Sequence, residues 1–134
     1  EEVLPQVYVD GAHNEDGIRA FLETVSQDGY DHRRKLLFSV VSDKDYETML
    51  GKIAGSGLFE EIVLARLENY RGASIEVMEQ SLKRISDVYI VCFERVQEAL
   101  AAVLADKKEE ERVYIVGSLY LVGEIKEYLE NDKF

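Results

Sequence analysis

Two short stretches at opposite ends of this 134-residue chain concentrate the residues able to do chemistry. They are Asp10-Gly11-Ala12-His13-Asn14 and Gly117-Ser118-Leu119-Tyr120-Leu121-Val122-Gly123-Glu124. An aspartate at the end of a β-branched run can accept hydrogen bonds from two vicinal hydroxyls, as acidic residues do when they hold ribose. It can equally close a turn or cap a helix. His13 brings an imidazole that titrates near neutral pH, although a histidine in a turn often only donates to backbone. Ser118 precedes an apolar helical stripe, where its hydroxyl can cap the helix or donate to a carboxylate held at the helix N-terminus. Arg71, in Asn69-Tyr70-Arg71-Gly72, offers a cation to an anionic substrate, to a partner domain or to its own loop.

Both stretches follow β-branched and aromatic runs, Val7-Tyr8-Val9 and Val113-Tyr114-Ile115-Val116, and both lead into helix-like patterns. A strand that ends in a small-residue turn and opens a helix points N–H groups and the helix dipole at whatever binds there. The same alternation continues along the chain. Asn14 can cap a helix with Ile18, Phe21, Leu22 and Val25 on one stripe, with Glu15 and Asp16 in its first turn. Residues 35–41 form an apolar run suited to a strand covered on both faces. Ser42 is the expected cap of a helix carrying Tyr46, Met49, Leu50 and Ile53, with Asp45 three residues on. Residues 60–67 and 87–93 read as further strands, Ser74 as the cap of a helix between them, and Leu121, Val122, Ile125 and Leu129 as the last stripe. Repeated β–α units imply parallel strands joined by right-handed crossovers, with helices on both faces. The expected fold is a three-layer α/β/α sandwich around a mostly parallel sheet of five to six strands. Ligands of such sheets bind beyond the carboxyl ends of the strands, which selects the loops after Asp10, Val41, Leu67, Phe93 and Val116.

The length fits one domain, residues 1–134, with no linker, internal repeat or low-complexity segment. A formal charge of −11 argues against nucleic acid, which favours a basic face. The basic spots Arg33-Arg34-Lys35 and Lys83-Arg84 are too short to reverse it. No run is apolar enough for a membrane span. The single cysteine, Cys92, reads as a buried thiol in a reducing compartment. Glu1-Glu2 lacks the basic start of a signal peptide and reads as the start of an excised piece.

Together, Asp10-Gly11-Ala12-His13-Asn14 and Gly117-Ser118-Leu119-Tyr120-Leu121-Val122-Gly123 resemble the C-terminal domain of folylpolyglutamate synthase/dihydrofolate synthase, a branch of the Mur-type ATP-dependent amide ligases. The strand spacing extends the resemblance over nearly the whole chain. It implies a Rossmann-like sheet with the strand before Asp10 beside the strand before Gly117, and an antiparallel edge strand shortened to about residues 1–4. It implies that Asp10 and His13 contact ATP, and that Ser118 and His13 bind the incoming glutamate. It also implies an N-terminal ATPase domain as partner, bringing the phosphate-binding loop and the Mg2+ ligands. An arginine that touches the nucleotide would lie upstream of this chain. The substrates are then ATP, L-glutamate and folate or dihydropteroate, joined through an acyl phosphate by a cytoplasmic monomer. The domain alone would neither hydrolyse ATP nor ligate glutamate. Glu15 departs from the proline of many relatives, at a first helical turn that suits either residue.

Other readings fit less well. A phospho-accepting receiver domain needs an aspartate after the third strand and a lysine after the fifth, where this chain has Arg66-Leu67-Glu68 and Gly117-Ser118. A serine hydrolase built from Ser118, His13 and Asp10 lacks the G-x-S-x-G elbow, because position 120 is tyrosine. Gly51-Lys52 lies in a helical pattern with Tyr46 at the upstream glycine position, so it is no P-loop. Gly55-Ser56-Gly57 ends a helix and is no dinucleotide fingerprint. Two distant histidines and one core cysteine do not make a zinc site. A generic small-molecule-binding α/β module is the remaining alternative.

Overall fold

The computed structural model describes residues 1–68 and 71–131. Eleven elements alternate along them: β1 (Glu2–Leu4), β2 (Val7–Asp10), α1 (Glu15–Ser26), β3 (Arg34–Phe38), α2 (Tyr46–Gly55), β4 (Glu61–Ala65), α3 (Ile75–Ile85), β5 (Tyr89–Phe93), α4 (Val96–Asp106), β6 (Arg112–Val116) and α5 (Leu119–Asn131). The sheet order is β1-β2-β6-β3-β4-β5. Only β1 runs antiparallel, paired with β2, and it is the short edge strand expected at the start.

Side chains alternate faces along each strand, so one sheet feeds two cores. Leu36, Phe38, Ile62, Leu64, Tyr114 and Val116 face α1, α2 and α3, where Ile18, Phe21, Met49, Leu50, Met78 and Leu82 complete the first core. Val7, Val9, Leu37, Val63, Val113 and Ile115 face α4 and α5, meeting Ala99, Leu100, Val103, Leu121 and Ile125. Central strands covered on both sides explain the continuous apolar runs. The result is the three-layer sandwich.

The structure corrects several boundaries. The run at 35–41 leaves the ladder after Phe38. There Ser39 N–H still reaches Val116 O at 3.4 Å, but Val41 bridges Gly72 and Ser42 N–H donates to Arg71 O at 2.7 Å. The cap of α2 is Asp45 rather than Ser42: its carboxylate accepts from Thr48 N–H at 3.3 Å and Thr48 Oγ1 at 2.7 Å. Lys44 N–H donates to Val41 O at 3.2 Å, so the segment from 41 to 44 is a turn that delays the helix. The strand readings at 60–67 and 87–93 shorten to β4 and β5. Cys92 is half-buried rather than buried, because β5 forms an edge of the sheet. Burial still pushes its thiol up to about 11. Asn69 and Tyr70, in the loop that carries Arg71, lie outside the described residues.

The basic spot at 33–35 is neutralised in place. Arg34 binds Asp28 at 2.7 Å, Arg33 binds Glu111 at 2.9 Å, and Lys35 lies 3.7 Å from both Glu61 and Glu111. Asp28 gathers further donors: Tyr30 N–H at 2.8 Å, Tyr114 O–H at 3.0 Å and Arg112 at 3.1 Å. Burial opposes its ionisation, but these donors outweigh burial and hold the carboxyl below its ordinary value. This cluster anchors the amino ends of β3 and β6, opposite the edge where the two sequence motifs emerge.

Candidate functional site

β2 and β6 are parallel neighbours in a register that sets Asp10 beside Val116. The two motif loops therefore leave the sheet side by side, and Gly117 N–H ties them together by donating to Ala12 O at 3.1 Å. Gly117 has φ +130, and a Cβ there would stand 2.2 Å from Ser39 O. Only glycine fits between β3 and the start of α5.

Asp10 is exposed, and its Oδ1 accepts from Ala12 N–H at 2.9 Å in a turn. Its Oδ2 has no partner among the described residues. His13 is half-buried, with Nδ1 3.0 Å from Gly11 O. A carbonyl only accepts, so this bond puts the proton on Nδ1 and leaves Nε2 for a ligand. Asn14 Oδ1 accepts from Gly17 N–H at 2.8 Å and caps α1. Glu15 pairs with Lys52 at 3.3 Å and does not line the cleft described next. Ser118 is buried, and its Oγ accepts from Tyr120 N–H at 3.0 Å, which makes it the cap of α5. The serine hydrogen remains available to donate, so capping and ligand binding are compatible.

His13 and Ser118 meet at a cleft of about 280 Å3, together with Gly117, Lys44 and the apolar Val41, Leu119 and Tyr120. Arg71 lies in an adjoining hollow of about 270 Å3 with Ser42 and Asp43, which shares Val41 and Tyr120 with the first. Asp10 is not part of either lining. It stands outside them, three residues before His13. Lys44 was missed by sequence reasoning and makes no ion pair among the described residues. The signal was present: Asp43-Lys44-Asp45 follows the second apolar run, in one of the loops selected by the carboxyl-edge rule. The hydrolase arrangement fails on geometry. Asp10 is bonded to Ala12 and His13 Nδ1 to Gly11, so no Asp–His–Ser relay forms. Among the described residues, no group of three or more His, Cys, Asp or Glu is placed to hold a metal ion, and no helix is long and apolar enough to cross a membrane.

A doubly wound sheet with its cleft at the carboxyl ends of β2, β3 and β6 places a ligand where open α/β sheets bind one. Residues 2–119 match the family described as Mur ligase, glutamate ligase domain, and the chain belongs to that family. Within it, the similarities point to folate enzymes. The chain is 28% identical over 127 residues to the dihydrofolate synthase/folylpolyglutamate synthase of Bacillus subtilis (strain 168), covering 94% of this chain and 28% of that protein. It superposes on a bifunctional folylpolyglutamate synthase/dihydrofolate synthase from Yersinia pestis, complexed with AMPPNP and manganese. That match has a TM-score of 0.83 and 25% identity, and covers 97% of this chain and 30% of that one. A further solved enzyme of that name, with manganese, AMPPNP and L-glutamate bound, gives a TM-score of 0.77 and 26% identity over 90% of this chain and 28% of that one. The chain thus spans less than a third of the length of these relatives.

Proposed function

We propose that this chain is the C-terminal domain of an ATP-dependent folate ligase, which joins L-glutamate to dihydropteroate or folate through an acyl phosphate. The observation that carries the reading is the meeting of His13, Ser118 and Lys44 at the uncovered N-terminus of α5. Glutamate brings two carboxylates and one amine. Ser118 O–H and the first N–H groups of α5 suit one carboxylate, aided by the helix dipole. Lys44 suits the other. His13 Nε2, with the proton fixed on Nδ1, accepts from the amine and orients its lone pair outward for attack. Asp10 keeps Oδ2 for the ribose hydroxyls of ATP, at the outer end of the same strand edge. Arg71, in the adjoining hollow, meets a more distal anionic part of the substrate or the partner domain.

Phosphoryl transfer also needs a phosphate-cradling loop and a divalent metal. The metal, Mg2+ in this reading, shields the phosphate charge. Its ligands and the loop would come from an N-terminal ATPase domain, since Gly51-Lys52 lies inside α2. This chain's residues bind and orient the amino acid and one side of the nucleotide, and they close against the other domain.

The test uses the full-length ligase that carries this chain. Phosphate release should require both L-glutamate and a pterin-linked carboxylate. Lys44→Met should raise KM for glutamate about tenfold or more, the scale of one hydrogen bond to a charged group, while KM for ATP changes little. Asp10→Asn should do the reverse and narrow the preference for ATP over 2′-deoxy-ATP. Turnover that ignores glutamate, or equal effects of both variants on both substrates, overturns the assignment.

A further inference from the structure

The turn between β3 and α2 sends consecutive residues to different cavities. Lys44 lines the cleft with His13 and Ser118, while Asp43 lines the adjoining hollow of about 270 Å3 with Arg71. Lys44 N–H holds the turn by donating to Val41 O at 3.2 Å. The loop after β4 is fastened to it, since Ser42 N–H donates to Arg71 O at 2.7 Å and Val41 bridges Gly72. Val41 and Tyr120 line both cavities, so the two share a wall.

Arg71 is exposed, and among the described residues its guanidinium makes no hydrogen bond or ion pair, with Asp43 or with any other side chain. A guanidinium and a carboxylate that share a hollow without pairing suit a group that carries a carboxylate next to an N–H donor. Val41 and the 50% exposed Tyr120 give the carbon chain of such a group an apolar side. An acceptor that already ends in a glutamyl residue has this pattern. Its amide N–H and its α-carboxylate hang on one carbon, a few bonds from the γ-carboxyl that takes the next glutamate. Dihydropteroate ends in a benzoate and has neither group.

We propose that Arg71 selects acceptors that already carry glutamate, by binding the α-carboxylate of their terminal glutamyl residue. In the ligase reading, on which this rests, the incoming L-glutamate occupies the cleft of Ser118, Lys44 and His13. The terminal glutamyl residue of the acceptor then occupies the hollow, and the new amide bond forms over the shared wall. Asp43 accepts from the amide N–H already present. The guanidinium takes the α-carboxylate through two parallel hydrogen bonds, so geometry as well as charge discriminates.

The experiment is steady-state kinetics of the full-length ligase that carries this chain, at saturating ATP and L-glutamate. Two acceptors are compared: pteroyl-L-glutamate and its α-carboxamide, which keeps the γ-carboxyl and the amide N–H but loses the α charge. The wild type should show a KM about tenfold or more lower for the α-acid, the scale of one hydrogen bond between charged groups. Arg71→Gln should raise KM for the α-acid by about that factor, so that the two acceptors become nearly equal, while KM for L-glutamate stays close to wild type. Arg71→Lys keeps the charge and loses the fork, so it should restore part of the preference. The side chain is exposed and its backbone bond to Ser42 does not depend on it, so both variants keep the fold. A wild type that treats the two acceptors alike, or an Arg71→Gln variant that keeps the preference, overturns the proposal. So does a rise in KM for L-glutamate in place of the acceptor, which would put Arg71 on the incoming amino acid. Use of dihydropteroate without use of pteroyl-L-glutamate overturns the proposal and leaves the ligase reading standing. Only turnover that needs no pterin-linked carboxylate at all removes both.

Discussion

Ser118→Ala separates the observed cap from the proposed ligand role of one hydroxyl. As the cap of α5 it accepts from Tyr120 N–H at 3.0 Å. Losing a serine cap costs about 1 kcal/mol. For a domain of this length the unfolding entropy is roughly 0.28 kcal/mol per degree, so the melting temperature should fall by about 3–4 °C. In the proposed glutamate site the same hydroxyl would donate to a carboxylate, a charged hydrogen bond worth about 1.5–3 kcal/mol. KM for glutamate in the full-length ligase should therefore rise roughly ten- to a hundredfold, with KM for ATP nearly unchanged. Ser118→Gly sharpens the comparison. Glycine is a fair cap, so it should recover most of the stability and none of the glutamate affinity. The assays are thermal denaturation of the chain and steady-state kinetics of the ligase. If Ser118→Ala lowers the melting temperature while glutamate dependence stays at the wild-type value, the hydroxyl is a cap and nothing more.

The other expectations concern the frame. Gly117→Ala places a side chain at φ +130 against Ser39 O, whereas Gly11→Ala meets only the mobile end of the exposed Leu119. Backbone strain alone costs about 1–3 kcal/mol, so Gly117→Ala should lower the melting temperature by roughly 4–10 °C or more and Gly11→Ala by clearly less. Asp28 has a lowered carboxyl pKa in the fold, so its contribution is present above its unfolded pKa of about 3.9 and is lost as pH falls through the folded value. Asp28→Asn should therefore destabilise the chain at pH 7 and progressively less as pH falls below about 3.9, in denaturant titrations across that range. Cys92, with its thiol pushed up to about 11 from 9.0, should alkylate roughly a hundredfold more slowly at pH 8 than a free cysteine, and at the ordinary rate once unfolded.

The sheet was legible because its strands are short and apolar on both faces, and because caps such as Asn14 and Ser74 state their helices locally. The adjacency of β2 and β6 was not legible from pattern alone. It came from the resemblance, since nothing in either strand names its neighbour. The ends of strands were the weakest point. Hydrophobicity continues through Val40 and Leu67 because those residues stay buried after they leave the ladder, so burial outlasts hydrogen bonding. Ser42 and Asp45 were both credible caps. A tertiary bond from Ser42 N–H to Arg71 O decided between them. Lys44 escaped notice for the same reason: its place in the cleft depends on that turn, which is fixed by the loop after β4.

Net charge is a poor guide to what this cleft accepts. The −11 lies mostly on helix faces, and at physiological ionic strength charges beyond about 8 Å are largely screened. What a ligand meets is local. Lys44 lines the cleft itself, and Arg71 lines the adjoining hollow beside Asp43. The helix ends sharpen the contrast. α1, α2, α3 and α4 each carry an acidic residue in the first turn, where it satisfies the positive end of the dipole: Glu15 and Asp16, Glu47, Glu76, and Glu98. α5 carries none. Its first turn holds Leu119 and Tyr120 behind the Ser118 cap, so no side-chain acid offsets the positive end of the dipole beside a lysine. This one helix end, at the edge where the two motif loops are tied together, is where the proposed reading puts the glutamate carboxylate. Substituting Leu119 by glutamate fills that place from within. It should stabilise α5 slightly, by about 0.3–1 kcal/mol, while weakening glutamate use by the ligase. A stabilised helix with unchanged glutamate affinity would show that the carboxylate is bound elsewhere.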